Sequence, residues 1–161
     1  MVRKAEVKDL VAINELTDAM HNYLAGLYEL KLADEELEEE HFSEEQLENV
    51  YVAESAEEGV IGYVSFSKGS DEWAGPIYEI DHIVVDQDYR GLGIGRKLFE
   101  IVLERALREG ANITTGTLVK NERALRFYQE QGFKPLSIRL VLDLQRRLST
   151  KRHPTHLSSS Q

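Results

Sequence analysis

The chain contains no cysteine. That excludes disulfides, a thiol nucleophile and thiolate metal ligands, and it fits a cytoplasmic protein. No run approaches the roughly 18 apolar residues of a membrane-spanning helix. The N-terminal MVRKAEVKDL lacks the apolar segment of a signal peptide. There is no internal repeat and no cluster with metal-ligand spacing, so no metal is expected. The five histidines are scattered, with His153 and His156 near the C-terminus. Positive charge is also short: 19 Lys and Arg stand against 29 Asp and Glu, a formal net charge of -10. That balance argues against nucleic acid as the main partner. An acidic surface suits a cationic or amine-bearing partner, and it also serves plain solubility.

What is present reads as one domain. The 161 residues are 42% apolar and 30% charged, which is ordinary for a globular protein with a real core. Val2 to Ala5 is a short edge strand. A helix follows, with Leu10, Ile13, Leu16 and Met20 on one face, and Thr17 to Lys31 continues or restarts it. Ala33 to Leu47 is strongly acidic, and Ser43 with Gln46 forms a capping box. Val50 to Glu54 and Val60 to Ser67 form a hairpin about Gly59. Lys68 to Gly75 is a polar loop, and Ile77 to Val85 is a longer strand. A helix runs up to Gly110. Asn112 to Val119 is the next strand, and Asn121 caps a helix that stops at Gly132. In Phe133 to Leu144 the residues Ile138, Leu140, Leu142 and Leu144 alternate with Arg139, Val141 and Asp143, which predicts a closing strand. Residues 1–148 form the domain and 149–161 a basic, Ser-rich tail. A hairpin combined with β-α-β crossovers predicts an α/β fold, a mixed sheet with helices on both faces.

One stretch organises the rest: IVVDQDYRGLGIGRKLF, Ile83 to Phe99. It reads as strand, glycine loop and helix start. Such a loop can cradle a phosphate at a helix N-terminus. A dinucleotide loop needs G-x-G-x-x-G, but Gly91, Gly93 and Gly95 fall at every second residue. A P-loop ends in G-K-[ST], but Arg96-Lys97-Leu98 follows Gly95. What remains is R-x-x-G-x-G, Arg90 through Gly95. It resembles the acetyl-CoA signature of the GCN5-related N-acetyltransferases (GNAT). A second motif, N-x-x-A-x-x-F-Y-x-x-x-G-F from Asn121 to Phe133, is similar to the last helix of the same family.

The resemblance implies a GNAT-like mixed sheet of about six to seven strands, with the fourth and fifth splayed apart by a bulge in the fourth. By that likeness acetyl-CoA is the cosubstrate. Backbone groups of Ile83, Val84 and Val85 bond its pantetheine arm and acetyl oxygen. Backbone N–H groups from Gly91, Leu92, Gly93, Ile94, Gly95 and Arg96 take the pyrophosphate in the loop that Arg90 opens. Asn121 contacts the arm, and Tyr128 points at the thioester sulfur. Gln87 departs from the family's common proline and affects only the turn. The family often forms homodimers, sometimes through its last strands, where Ile138 to Leu144 is available.

Acetyl transfer to an amine needs a neutral nucleophile, while alkylamines have a pKa near about 10.4. A carboxylate can take that proton directly or through water. Strict alternation puts Glu79, Asp81, Ile83 and Val85 on one strand face and His82 on the other, apart from any bulge. Glu79 matches the catalytic glutamate of histone-type members, and Asp81 lies where polyamine members carry an acid. Glu79 is the preferred base, Asp81 the second choice, water the third. The Val85 N–H is the oxyanion donor and Tyr128 the acid for the departing thiolate. Gly116 stands where ribosomal-protein-type members carry a glutamate, which counts against that subtype. The expected acceptor is a small amine or polyamine, with a protein or peptide amine as alternative. A regulatory module that binds acetyl-CoA without turnover is a further alternative.

Overall fold

The computed structural model describes residues 1–29, 40–142 and 144. Five strands form one sheet in the order β1-β2-β3-β4-β5: β1 Val2–Lys4, β2 Val50–Ser55, β3 Gly59–Asp71, β4 Gly75–Val85 and β5 Asn112–Thr115. The first four are antiparallel in sequence, and β5 runs parallel to β4. Among the described residues three α-helices accompany them: α1 Leu10–Leu27, α2 Ile94–Glu109 and α3 Glu122–Glu130. No helix among the described residues is long and apolar enough to cross a membrane.

Helices cover both sheet faces. On one, Ala53, Ile61, Val64, Phe66, Tyr78 and Ile80 meet Leu98, Phe99, Val102 and Ala106 of α2. On the other, Val50, Val52, Tyr63 and Val84 meet Ile13 and Leu16 of α1, with Leu10 and Met20 packed at the edge. The apolar stripe of α1 is the one its 3.6-residue period predicts. Its single buried polar pair is satisfied: the Thr17 hydroxyl lies 2.8 Å from the Ile13 carbonyl and 2.8 Å from the Tyr63 hydroxyl. The capping box forms, with the Ser43 N–H donating to Gln46 Oε1 at 2.8 Å, at the head of a 3-10 turn.

Three expectations change. Lys68 to Gly75 is not a loop, because β3 runs on to Asp71 and pairs with β4 through Asp71↔Gly75. Only residues 72–74 turn, held by Asp71 Oδ1 accepting from the Trp73 and Ala74 N–H groups. Polar side chains do not prevent a strand whose backbone is paired across a hairpin. The fifth strand ends at Thr115 rather than Val119. The closing strand is absent among the described residues: 133–142 carries no regular structure, and Ile138, Leu140 and Val141 are 80%, 88% and 91% exposed. Among the described residues the sheet therefore has five strands, not six to seven. Alternation fits a strand but names no partner for it. The acidic residues 34–39 and the tail from 145 lie outside the described residues.

At the start of the sheet Arg3 forks between two acids. Its guanidinium donates to Asp9 at 2.7 and 2.9 Å and to Glu54 at 2.9 and 3.2 Å. Asp9 is only 4% exposed and also accepts from the Glu6 N–H. This ties β1, β2 and the start of α1 together. Removing one partner of a buried pair strands the other. Asp9→Asn is therefore expected to cost about 3 kcal/mol at neutral pH, read by urea denaturation. Arg3 holds the Asp9 carboxyl below its ordinary 3.8. A lowered folded value stabilises above the unfolded one and is lost as the pH falls through it. The gap between wild type and variant should thus be full above about pH 4 and close below it; a gap constant into strong acid would contradict the assignment.

Candidate active site

The site begins where β4 and β5 part. Their pairing covers Ile77↔Asn112 to Ile80↔Thr115 and then stops. Across the strand, Phe66 pairs with Ile80 but Ser65 pairs with His82. Asp81 is thus an extra residue, a bulge in β4. The strand bends and continues to Val85 without a partner on its outer side. The Asp86 N–H donates to the Ile61 carbonyl of β3 at 2.9 Å. By alternation the backbone groups of Val84 also face β3, and those of Ile83 and Val85 face the open edge. Val84 instead lends its side chain to the core, at 7% exposure.

The bulge reverses the strand's parity. Tyr78 and Ile80 face α2 before it, and Ile83 and Val85 pack on that same cluster after it. Glu79 therefore does not share a face with Ile83 and Val85. Glu79 pairs with Ser67 and His82 with Ser65, both on the α1 face, and Asp81 faces Ser67 and Glu79. His82, expected on the opposite side, joins the two acids. Partial burial and then the Glu79 charge push the Asp81 carboxyl up. His82 Nδ1 lies 3.3 Å from the buried Ser65 Oγ, and its ring is edged by His21, Phe42 and Tyr63.

α3 brings the tyrosine from the other side of the split. Asn121 caps it, Oδ1 accepting from the Ala124 N–H at 3.3 Å. Gly132, at φ 95°, ends it in a Schellman turn: the Phe133 N–H donates to the Tyr128 carbonyl and the Gly132 N–H to that of Gln129, both at 3.0 Å. The Tyr128 ring is thereby fixed between Phe127 and Phe133, each 5.3 Å away. Its hydroxyl meets Thr115, whose own hydroxyl donates to the Ile80 carbonyl at 3.1 Å. Tyr128 therefore reaches the last paired residues before the split. Burial pushes its phenol up, with Thr115 opposing, so the proton stays on. Thr115 escaped the sequence analysis; only the end of β5 singles it out.

Below the open edge lies the glycine loop. Gly91 and Gly93 take φ 77° and 79°, which few other residues adopt. Gly95 serves packing: a Cβ there would sit 3.3 Å from the Phe127 ring. Gly93 caps α2 without a side chain, and the first helical bond to its carbonyl comes from the Lys97 N–H. The N–H groups of Ile94, Gly95 and Arg96 thus point out of the helix end without a helical acceptor. Leu92 is 66% exposed at the loop's tip. Arg90 folds back, Nε donating to the Val85 carbonyl at 3.1 Å, and burial and then the Arg123 charge lower its pKa. The Arg123 guanidinium stacks over Tyr23 at 4.3 Å, and the Lys120 ammonium over Tyr28 at 4.6 Å. These contacts carry the end of α1 across the split. One end of the cleft is cationic, and the other carries acids.

The family model for the Acetyltransferase (GNAT) family matches residues 13–133. A peptidyl-lysine N-acetyltransferase, YjaB of Escherichia coli (strain K12), is 31% identical over 82% of this chain and 78% of its own length. A thialysine N-epsilon-acetyltransferase of Bos taurus is 29% identical over 85% of each chain. The solved structure of the aminoglycoside N-acetyltransferase AAC(6')-Iy in complex with CoA superposes with a TM-score of 0.64 at 18% identity, over 88% of this chain and 92% of that one. At that identity the likeness shows the fold.

Gly93→Ala would force a Cβ into the left-handed region. It should cost about 1–2 kcal/mol in chemical denaturation. Gly116 has open space around it and no positive φ, so Gly116→Ala should be near neutral. Equal effects would show that Gly93 is not constrained by its backbone.

Proposed function

The chain belongs to the acetyltransferase (GNAT) family, and on that footing we propose that it moves the acetyl group of acetyl-CoA to a primary amine, with a small amine or polyamine as acceptor. The observation that carries this reading is the unpaired outer edge of β4, set between an anion-ready helix end and two carboxylates. The residues present fit the cosubstrate. The free N–H groups of Ile94, Gly95 and Arg96, with Arg90 and Arg123 beside them, suit a pyrophosphate. The edge groups of Ile83 and Val85 suit an arm built of amides. The Asn121 side chain, its oxygen used in the cap, keeps its amide N–H groups for the same arm.

Bound acetyl-CoA supplies an activated acyl carbon; the chain supplies position and proton control. The Val85 N–H, turned to the open edge, is a donor for the oxyanion that forms when an amine adds. Glu79 accepts the ammonium proton, directly or through water, with Asp81 beside it. Tyr128 holds its proton at ordinary pH and gives it to the departing sulfur. The acids on this face and the net charge of -10 favour cationic acceptors. The bovine and bacterial relatives act on thialysine and on peptidyl lysine, both primary amines on flexible arms. YjaB, at 31% identity, gives the protein-lysine acceptor its specific support as second reading.

Thiol release from acetyl-CoA should be measured against polyamines, thialysine, lysine, other amino acids and lysine peptides. A diamine, polyamine or thialysine is expected to lead the panel, and a lysine peptide leading it would favour the second reading. Glu79→Gln should lower kcat by more than about tenfold and displace the pH–rate profile; an unchanged profile would remove Glu79 from the base role. Tyr128→Phe should lower kcat by about tenfold or more and leave the KM for the amine nearly unchanged.

A further inference from the structure

At the inner end of the split one hydroxyl stands between the sheet and the tyrosine. Resting on the acetyl-transfer reading, we propose that Thr115 is a positioning residue for Tyr128: its hydroxyl holds the phenol oxygen at the fork and turns to the phenolate once the phenol proton has gone to the departing sulfur. The carbon–sulfur bond breaks, and the sulfur keeps the bonding pair and takes that proton. The amine nitrogen sheds two protons in becoming an amide; one restores the phenol and the other leaves to solvent. Thr115 only exchanges one hydrogen bond for another, and nothing is oxidised or reduced.

The strand register puts Thr115 at this point. It pairs with Ile80 in the last rung of the β4–β5 ladder, one residue before the bulge at Asp81. Ile113 packs on the α2 cluster, so Thr115, two residues on, shares its face. Thr114 points the other way, opposite Glu79. The Thr115 hydroxyl donates to the Ile80 carbonyl at 3.1 Å, so a side chain takes over where the backbone pairing ends. A threonine hydroxyl has one proton and two lone pairs. With its proton on Ile80 it can only accept from the phenol, and Tyr128 meets it from the α3 side. The phenol ring is held in place. Phe127 and Phe133 stand 5.3 Å from it on either side, and Phe133 rests on Phe99 of α2 at 5.7 Å.

A phenol in such a setting is a reluctant acid. Burial pushes Tyr128 above its ordinary 10, and Thr115 opposes that rise. Among the described residues no charged group adds to either effect. The phenol packs on Phe127 and Phe133, with Phe99 behind and Ile80 and Thr115 on the sheet side. When the proton leaves, the phenolate is a stronger acceptor than the Ile80 carbonyl, and the Thr115 O–H swings to it. A neutral hydrogen bond is given up for a charge-assisted one. The buried phenol thus becomes a better acid and still keeps its proton at pH 7.

Two measurements test this. Thr115→Val keeps the branched shape and loses the hydroxyl, and Thr115→Ser keeps the hydroxyl. With the best acceptor of the panel, Thr115→Val should lower kcat by about tenfold and leave the KM for the amine nearly unchanged. Thr115→Ser should keep most of the rate. The alkaline limb of kcat, where the phenol loses its proton, should move to higher pH in Thr115→Val. In a Tyr128→Phe background, Thr115→Val should cost less than about twofold more. A full loss in that background, or a Thr115→Ser variant as slow as Thr115→Val, would overturn the proposal. The second measurement needs no turnover. Difluorotyrosine, whose phenol ionises nearer neutrality, replaces tyrosine throughout the chain. Fluorine NMR follows position 128, assigned by the signal lost in Tyr128→Phe. Its ionisation should move to higher pH in Thr115→Val and return in Thr115→Ser. An ionisation that Thr115→Val leaves in place would equally overturn it. Failure of every amine in the panel would count against the acceptor reading, and the fluorine titration would still decide this one.

Discussion

One inserted residue, Asp81, governs the architecture of the cleft. A strand of regular register would have kept β4 and β5 paired and closed the sheet. The bulge bends β4, ends the ladder at Ile80↔Thr115 and leaves the Ile83 and Val85 backbone groups facing outward. The Val85 carbonyl takes Arg90 Nε, while the other edge groups of these half-buried residues have no strand partner; an unpaired buried polar group costs about 1–3 kcal/mol. The long β3–β4 pairing and the two apolar layers offset that cost. The opening is therefore a defect that the rest of the fold supports, and a ligand able to pair with it would complete the sheet.

The same defect sorts charge. Below the open edge stand the free N–H groups of the α2 end, Arg90 and Arg123. On the α1 face stand Glu79 and Asp81. On the proposed reading, an anionic cosubstrate and a cationic acceptor are drawn to different parts of this single split. Tyr128 and His82 share an electrostatic logic with opposite consequences. Burial keeps the proton on the phenol and off the imidazole. Both are thus uncharged at neutral pH.

Much of the site was legible in local sequence. Gly91 and Gly93 announce the loop because few other residues take their φ. Asn121 and Gly132 bracket α3 because cap chemistry is a matter of three or four neighbouring residues, and the Schellman turn that follows fixes Tyr128. The apolar period of α1 is also local. Each of these is a short-range constraint that a sequence carries in full. The split itself came from family resemblance, not from periodicity.

The parity of β4 was not legible. A bulge is set by how two strands register, and one extra residue moves every later side chain to the other face. That is why alternation misplaced His82 and grouped Glu79 with Ile83 and Val85. The length of β5, the role of Thr115 and the absence of regular structure over 133–142 have the same origin: each depends on whether a distant strand offers a partner. The sequence by itself determined the turns, caps and helical faces, because their energies lie within one or two turns of chain. Tertiary structure alone decided which side chains meet in the cleft, because backbone pairing between strands far apart in sequence sets the faces they present.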